Sequence, residues 1–422
     1  MELNILKRII EEQRKELEKK FNEENIIERE NTNEEKKFLK YPNILAILGV
    51  RRSGKSIFSL IISKQLKNFA YINFDDERLL NVKTEDLNKI LQAFYELQDN
   101  VDLIILDEIQ NINGWELFVN RLRRTKKIIV TGSNSNLLSG ELATHLTGRY
   151  IDFNLYPFSF KEILSFKPNI NLTEDIAKLK KELKKYIEGS GFPEFLKFGS
   201  AIVIRIYEDI INKDCLRRHK VEKEKTFREL SNYLISNFSS EFTYSKLSKI
   251  FNIKDVHTVK NYVNYLKEAF LIIVLDRYSP KLKQQVIAPK KIYAIDHGFC
   301  NFISFRLSKD MGKIYENIVL IDLLRENPNN KTEVYYWKNH QGNEVDFIVK
   351  DKFKIKKLIQ VCYDIADSDT KKREIKALLL AAEELKCNNL IIITEDYEKE
   401  EDIENKKIKF IPLWKWLLSN SS

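Results

Sequence analysis

The stretch Ile44–Ile62, ILAILGVRRSGKSIFSLII, places a segment rich in glycine and lysine between two apolar runs. The run before it has the length and composition of a buried parallel strand, and the run after it is typical of a helix. In such a loop, backbone N–H groups surround a phosphate, the lysine reaches the β- and γ-phosphates, and the final hydroxyl ligates Mg²⁺. The sequence therefore predicts a nucleotide site that takes ATP and Mg²⁺, and a plain glycine turn is the alternative. The segment fits the pattern GxxxxGK[ST] with Gly49, Val50, Arg51, Arg52, Ser53, Gly54, Lys55 and Ser56.

A pair of acids supports the same interpretation. Asp107 and Glu108 end the apolar run LIILDEI, about fifty residues after Lys55. An acid at the end of such a strand holds Mg²⁺ through water, and its neighbour polarises the attacking water. We therefore expect Ser56 and Asp107 at the metal and Glu108 at the water.

Composition limits the class of protein. A chain of 422 residues is expected to form two to four domains. It contains no apolar run of the ~20 residues that span a bilayer, and its charged N-terminus is unlike a signal peptide. We therefore expect a cytoplasmic protein without a membrane partner. The four cysteines lie far apart and form no CxxC pair, which argues against a disulfide framework or a zinc site.

The hydropathy pattern predicts an α/β fold with several parts. Apolar strands alternate with helical stretches through about Asn154, which is typical of a parallel sheet. Four strands are predicted in NILAILGV, FAYINFDD, VDLIILDEI and KKIIVTGSN, after an amphipathic helix within residues 3–30. We expect these domains: a P-loop core with its N-terminal helix at 1–155, a mainly helical segment at 156–212, which the family resemblance described below implies to be a lid, a winged helix-turn-helix at 213–305 and an α/β domain at 306–422.

Positive charge is concentrated in the middle of the chain. The net charge is +9, and residues 209–310 alone hold 19 Lys and Arg against 11 Asp and Glu. This region has the spacing of a winged helix, with its second motif helix in DVHTVKNYVNYLKEA capped by Asp255. The expected core positions are Val256, Val259, Val263 and Leu266. The expected outward positions are Lys254, His257, Lys260 and Asn261 on the helix, and Lys281, Lys283, Lys290 and Lys291 on the wing.

Two kinds of partner remain open for this basic module. Its charge favours contact with double-stranded DNA. Winged helices also serve as protein docking modules, and Glu268 and Asp276 dilute the basic patch.

Several motifs in fixed order resemble one family. GVRRSGKS, LDEIQNI, TGSNSNLLSGELATHLTGRY, YPFSFKEIL and GSGFPEFL are similar to the archaeal and bacterial AAA+ superfamily ATPases that carry a winged-helix and a restriction-endonuclease-like C-terminal domain. The resemblance implies a P-loop NTPase core, a small helical lid and assembly of several copies. It also implies a polar sensor that holds the attacking water at the end of the fourth strand, between Thr131 and Asn134, with Ser133 as the expected residue.

The resemblance leaves the arginines open. Arg149 matches a recurrent arginine that acts as an arginine finger, in cis or across a subunit interface, or forms a structural salt bridge. Arg51 and Arg52 steer the phosphates or are solvated loop charges.

The C-terminal region resembles a nuclease fold with altered chemistry. Glu316 and Asp346 match two acidic positions of the restriction-endonuclease-like site, but Gln360 and Cys362 stand where its next acid and its lysine belong. Loss of the lysine removes the cation that stabilises charge near the scissile phosphate. The candidates to replace it are Lys371, Lys372 and Arg373. We expect a catalytically silent domain.

Three functional interpretations follow. The first is an ATPase that couples its nucleotide state to DNA binding or assembly through the winged helix. The second is an ATP-gated signalling or assembly switch that acts on protein partners. The third, an ATP-dependent nuclease, is disfavoured by Gln360 and Cys362.

Overall fold

The structure, a computed structural model, divides the chain into two compact units. The first unit comprises Met1–Tyr156 and Glu268–Phe270, and the second comprises Pro157–Lys267 and Leu271–Ser422. No helix in the described ranges is long and apolar enough to cross a membrane. The structure describes residues 1–23, 26–30, 37, 41, 43–63, 68–138, 146, 148–164, 168–305, 310–327 and 332–419.

A parallel five-stranded sheet forms the first unit, in the order β2-β3-β4-β1-β5. The four strands predicted from sequence are confirmed, and β5 is an addition. The strands are β1 (Ile44–Leu48), β2 (Phe69–Asn73), β3 (Leu103–Asp107), β4 (Lys127–Gly132) and β5 (Tyr150–Asn154). The helices are α1 (Leu3–Glu23), α2 (Lys55–Ser63), α3 (Leu87–Leu97) and α4 (Trp115–Leu122).

Apolar strands explain why this sheet is covered on both faces. Every residue of β1 and β3 is buried, as expected for central parallel strands. The predicted amphipathic helix is confirmed as α1, whose Leu6, Ile9 and Ile10 pack into the core on one face of the sheet. Because all five strands are parallel, the residues that follow them lie at one edge of the sheet, where α/β proteins bind ligands.

A helical segment opens the second unit. Residues 156–212, predicted as a lid on the P-loop core, are mainly helical but group with the second unit from Pro157 onward. Its helices are α5 (Phe160–Ile163), α6 (Thr173–Glu188), α7 (Phe195–Phe198) and α8 (Ser200–Asp209), followed by a π-helical stretch at Ile210–Arg217.

Four helices and a three-stranded antiparallel sheet follow. The sheet order is β6-β8-β7, so that β7 and β8 form the predicted hairpin, with an added helix, α12, between them. The elements are α9 (Glu224–Ser236), β6 (Ser240–Phe242), α10 (Tyr244–Ile250), α11 (Val256–Glu268), β7 (Ile272–Asp276), α12 (Leu282–Ile287) and β8 (Lys290–Ala294).

The predicted faces of α11 are largely confirmed. Asp255 accepts hydrogen bonds from the backbone N–H groups of His257 and Thr258, which caps the helix. The expected core positions are buried except Val256, which is 40% exposed at the first turn, so that part of the prediction is wrong. The residues predicted to face outward, Lys254, His257, Lys260 and Asn261, are exposed.

The remaining elements form a six-stranded mixed sheet in the order β13-β14-β12-β11-β10-β9. Its strands are β9 (Thr332–Lys338), β10 (Glu344–Asp351), β11 (Lys354–Cys362), β12 (Leu390–Thr394), β13 (Lys399–Ile403) and β14 (Lys406–Pro412). The helices of this part are α13 (His297–Phe302), α14 (Met311–Arg325), α15 (Ser368–Glu384) and α16 (Leu413–Leu418).

Candidate nucleotide-binding site

The loop between β1 and α2 has the backbone of an anion-binding loop. Gly54 has φ +95° and Arg52 has φ +66°, a left-handed conformation that is uncommon outside glycine. The loop returns to the sheet, since the N–H of Gly49 donates to the carbonyl of Gly132 at 3.2 Å. Helix α2 then begins at Lys55, so the motif residues lie at a helix N-terminus.

The ammonium group of Lys55 contacts two carbonyls of this loop and one carboxylate. Its Nζ donates to the carbonyls of Gly49 at 3.1 Å and Val50 at 3.2 Å, and it is 3.2 Å from Oε1 of Glu108. The side chain is almost fully buried. The structure thus brings together the predicted lysine and the predicted water-polarising acid.

Asp107 accepts three hydroxyl hydrogen bonds. Ser56 and Tyr71 donate to its Oδ2 at 2.6 Å and 2.7 Å, and Thr131 donates to its Oδ1. Burial, followed by the charge of Glu108, raises the pKa of the Asp107 carboxyl above its usual range, although the hydroxyl groups oppose that shift. Ser56 and Asp107, the predicted metal ligands, are therefore in direct contact.

Glu108 follows in an unusual backbone conformation, with φ +51°. Burial alone would raise its pKa, but Lys55, Gln110 and Arg51 outweigh that effect and lower the pKa of Glu108 to about 2. The carboxylate is therefore ionised at neutral pH. A strained residue that carries a fixed charge is common at active sites.

The residues at this edge fit a nucleotide with Mg²⁺. The hydroxyl oxygen of Ser53 is buried and has no hydrogen-bond partner within the described part of the chain, which an incoming phosphate oxygen would supply. Ser56 and Asp107 provide the oxygen ligands that Mg²⁺ prefers. Among the described residues, no set of three or more His, Cys, Asp and Glu forms a metal site by itself, so the metal would also need phosphate or water oxygens.

Ser133 and Thr131 share the predicted sensor position. The backbone N–H of Ser133 donates to Oε2 of Glu108 at 3.2 Å. The hydroxyl of Thr131 contacts Asp107 and also accepts from the N–H of Glu108 at 3.0 Å. Ser133 is thus at the site, and Thr131 is the residue that links both acids.

Arg149 is not brought to this site within one chain. It precedes β5, and its carbonyl accepts from the N–H of Ile44, the first residue of β1. The phosphate loop follows the last residue of β1, so Arg149 lies at the opposite edge of the sheet, roughly 15 Å away at the rise of a five-residue strand. Its guanidinium donates to the side chain of Asn120 at 3.2 Å. Of the three roles left open for Arg149, this conformation does not favour a finger acting in cis.

The two loop arginines differ in their surroundings. Arg51 forms an ion pair with Asp75 at 2.9 Å and contributes to the low pKa of Glu108. Arg52 carries the left-handed turn of the loop.

Sequence reasoning missed two residues of the site. The guanidinium of Arg29 is buried and donates to the carbonyls of Ser53 and Tyr156, which fixes the loop. The hydroxyl of Tyr71 donates to Asp107. Tyr71 is the central residue of β2, the neighbour of β3, and that adjacency is the signal that could have found it.

The acidic positions of the C-terminal region also meet, around an unpredicted lysine. Lys291, expected on an exposed wing, is 2% exposed and lies within 3.0 Å of Glu316 and Asp346. Lys291 is on the predicted hairpin, in β8, but the expectation that its side chain faces outward is wrong. Gln360 accepts from the N–H of Asp346 at 3.2 Å.

Two of the three predicted replacements for the missing lysine pair with acids, and the third, Lys372, is exposed on α15. Lys371 pairs with Glu401 at 3.0 Å, and Arg373 pairs with Glu374 at 2.7 Å. Burial, followed by the charge of Glu374, raises the pKa of the Cys362 thiol to about 12, so it is neutral.

Three family models match consecutive parts of the chain. The model described as "AAA domain" matches residues 41–164. Two domains of unknown function follow, DUF8612 at residues 180–310 and DUF4143 at residues 311–416.

Relatives match nearly the whole chain. The uncharacterized protein MJ1544 of Methanocaldococcus jannaschii is 38% identical over 90% of this chain and 89% of its own length. An uncharacterized protein of Haemophilus influenzae is 30% identical over 88% of this chain and 94% of its own length.

Among solved structures, the Walker-type ATPase PABY2304 of Pyrococcus abyssi has a TM-score of 0.45 at 15% identity, over 66% of this chain and 96% of that chain. Cdc6p of Pyrobaculum aerophilum has a TM-score of 0.27 at 15% identity, over 72% of this chain and 97% of that chain. The chain belongs to the family that includes MJ1544, with an AAA-type P-loop ATPase core matched at residues 41–164.

Proposed function

We propose that the chain hydrolyses ATP in a Mg²⁺-dependent reaction at the edge of the parallel sheet. One observation carries the proposal: Lys55 lies between the loop carbonyls and Glu108, beside the hydrogen-bonded pair of Ser56 and Asp107. The proposed phosphate loop, the proposed metal ligands Ser56 and Asp107, and the ionised carboxylate of Glu108 thus lie close together.

Each side chain has a role that its surroundings favour. Lys55 exchanges its bonds to Gly49 and Val50 for phosphate oxygens when ATP binds. Ser56 and Asp107 hold Mg²⁺, which neutralises charge on the phosphates. Glu108 accepts a hydrogen bond from the attacking water, because its carboxylate is ionised at neutral pH.

Two variants separate binding from turnover. Lys55→Ala is expected to weaken ATP binding at least tenfold in calorimetry, since it removes the phosphate-binding ammonium. Glu108→Gln is expected to keep ATP bound and to slow phosphate release by about 10²-fold. The exposed Lys89→Ala and Glu85→Gln in the same unit are the matched controls. Unchanged affinity in Lys55→Ala, or unchanged turnover in Glu108→Gln, would contradict the assignment.

We also propose that the four-helix module in the second unit is a winged helix that contacts double-stranded DNA. The observation that favours DNA is the exposed face of α11, which presents His257, Lys260 and Asn261, with Lys254 exposed just before the helix. Lys281 and Lys283 are exposed on the wing. Lys290 does not add to this basic surface, because its ammonium pairs with Asp276.

A protein partner is the second candidate, and one observation favours it. Helix α12 on the wing exposes three apolar side chains, Leu282 at 74%, Val286 at 63% and Ile287 at 71%. Exposed apolar groups on one short helix are typical of protein contact surfaces rather than of phosphate contacts.

Salt dependence distinguishes the two candidates. DNA affinity of the wild type, measured by fluorescence anisotropy with ATP and with ADP, is expected to fall steeply with salt. Lys254→Gln with Lys260→Gln should flatten the slope by about 0.9 for each lost phosphate contact. Lys181→Gln with Lys184→Gln on α6 is the charge-matched control. No DNA binding at low salt in either nucleotide state would favour the protein partner.

We infer that the six-stranded sheet domain is restriction-endonuclease-like and inactive as a nuclease. The support is chemical: the lysine position is a neutral thiol, Cys362, and Gln360 replaces an acid. Cleavage of plasmid DNA by the wild type with Mg²⁺ or Mn²⁺, abolished by Asp346→Asn, would contradict this inference.

A further inference from the structure

Three carboxylates surround one buried ammonium in the second unit. The Nζ of Lys291 lies 2.9 Å from Glu316 Oε1, 2.6 Å from Glu344 Oε1 and 3.0 Å from Asp346 Oδ1. The lysine side chain is 3% exposed. We call these four residues the lysine-filled cluster.

The cluster joins separate elements of the fold. Lys291 is on β8 of the three-stranded sheet, Glu316 is on α14, and Glu344 and Asp346 are on β10 of the six-stranded sheet. The lysine therefore comes from a different sheet than Glu344 and Asp346, and Glu316 comes from a helix.

Other bonds hold the carboxylates in place independently of Lys291. The hydroxyl of Tyr293 donates to Glu316 Oε1 at 2.6 Å. The N–H of Val361 donates to Asp346 Oδ2 at 3.0 Å, and Lys338 pairs with Glu344 Oε2 at 2.9 Å. Each acid thus keeps a second donor, which for Glu344 and Asp346 uses the other carboxylate oxygen and for Glu316 shares Oε1 with Lys291.

The point that the three acids share at the Lys291 ammonium has the chemistry of a cation site. Carboxylate oxygens are the ligands of hard divalent cations, and Ca²⁺ binds them at about 2.3–2.6 Å in flexible geometry. Removal of the lysine would leave three acids without their shared counter-charge, which is strongly unfavourable in a buried position. Among the described residues, no set of three or more His, Cys, Asp and Glu is by itself arranged to hold a metal, and the point that these three acids share is occupied by the Lys291 ammonium.

We infer that Lys291 is the built-in cation of this carboxylate site and excludes a divalent metal from it. A single side chain supplies the positive charge that a metal ion would otherwise supply. The inference concerns the second unit alone and does not depend on ATP hydrolysis.

The test is a thermal melt of nucleotide-free protein with and without CaCl₂. Lys291→Ala is expected to unfold at a lower temperature than the wild type without metal. Calcium is expected to raise its Tm by about 3 °C or more, because an ion that binds only the folded state stabilises it. Lys291→Ala with Asp346→Asn should lose that shift, which separates this cluster from calcium bound elsewhere.

Lys291→Met provides a second comparison. The methionine fills the space of the lysine stem without its charge, so its calcium shift should be smaller than that of Lys291→Ala. If Lys291→Ala folds only in the presence of calcium, the inference is supported. If it does not fold in either condition, Lys291→Ala with Glu344→Gln reduces the unbalanced charge, and a calcium shift in that variant is again the expected result.

Three outcomes would overturn the inference. One is a calcium shift of the wild type that Asp346→Asn abolishes, since metal would then enter beside the lysine. Another is the absence of any calcium shift in Lys291→Ala, or in its Glu344→Gln derivative where the single variant does not fold. The last is a shift in Lys291→Ala that survives Asp346→Asn, because the ion would then be bound elsewhere.

Discussion

Thr131 has two contacts that make it the side chain most closely tied to both acids of the site. Its hydroxyl donates to Asp107 and accepts from the backbone N–H of Glu108 at 3.0 Å. One hydroxyl contacts Asp107, the proposed metal ligand, and the backbone of Glu108, the proposed water-polarising acid. Loss of this hydroxyl should therefore reduce turnover more than ATP binding.

We expect Thr131→Val to reduce ATP turnover about tenfold or more while the Kd for ATP changes by less than about threefold. Valine keeps the shape of threonine and removes only the hydroxyl. Ser133→Ala is the comparison, because its backbone contact to Glu108 survives the change. Steady-state phosphate release and calorimetry measure the two quantities. If Ser133→Ala loses more turnover than Thr131→Val, Ser133 and not Thr131 would be the sensor residue.

Local motif chemistry could be predicted from the sequence, and distant pairing could not. The loop residues and the Asp107–Glu108 pair follow short patterns whose spacing reflects one strand-to-helix connection. Tyr71 and Lys291 depend on partners that are 36 and 25 to 55 residues away in the chain, which no local pattern encodes. Lys291 was misassigned for that reason, since a lysine in a basic hairpin has no local sign of burial.

At the scale of elements, close packing fixes the phosphate loop against β5. The N–H of Leu155 donates to the carbonyl of Leu48 at 2.7 Å, just before the loop. A Cβ on Gly49 would lie 2.3 Å from the carbonyl oxygen of Leu155, so the loop passes where only a hydrogen fits.

We expect Gly49→Ala to destabilise the first unit by about 2 kcal/mol or more and to abolish tight ATP binding, because a backbone atom must move to admit the methyl group. Urea unfolding followed by hydrogen exchange in peptides of the first unit, together with calorimetry, measures both effects. Gly148→Ala is the control, since Gly148 has φ +69° but no atom of the described residues lies within 4 Å of the added carbon. Its expected cost is about 1–2 kcal/mol, with ATP affinity retained. Equal effects on ATP affinity in both variants would argue against the steric explanation.

Strands with continuous apolar runs could be predicted from the sequence. Short elements that mix apolar and polar residues could not. Strands β1 and β3 are fully buried and gave clear apolar runs. Strand β5, with the sequence YIDFN, is only partly buried and lacks that signal. Helix α12 has no buried residue, so the sequence between β7 and β8 gives no core-facing apolar pattern that would predict a helix there.

At the scale of the whole molecule, the boundary between units shows the limit of local reasoning. The segment 156–212 was correctly predicted as helical, but its grouping with the second unit depends on long-range contacts. Asp296 accepts from Ser190 at 2.6 Å and from the N–H of Gly191 at 2.9 Å, more than a hundred residues away. Helical periodicity identifies such a segment but does not indicate which core it joins.

Arg149 is a candidate for a role that requires more than one copy of the chain. It lies at the sheet edge opposite the phosphate loop, in a neighbourhood where burial, Arg149 and Arg124 together lower the pKa of Arg123. A concentration of positive charge away from the site is suited to a nucleotide held by a neighbouring copy. The alternative is a structural role through the contact with Asn120.

Mixing two inactive variants separates these roles. We expect Arg149→Ala to bind ATP normally and Lys55→Ala to bind it at least tenfold more weakly, and we expect each alone to be deficient in turnover. If Arg149 acts across an interface, an equal mixture should recover about a quarter of wild-type turnover, because half of the sites have an intact loop and half of those have an intact neighbouring arginine. Phosphate release after subunit exchange measures the recovery. A mixture with no activity above the sum of its components would indicate that Arg149 acts within its own chain, through Asn120 and the edge of the sheet.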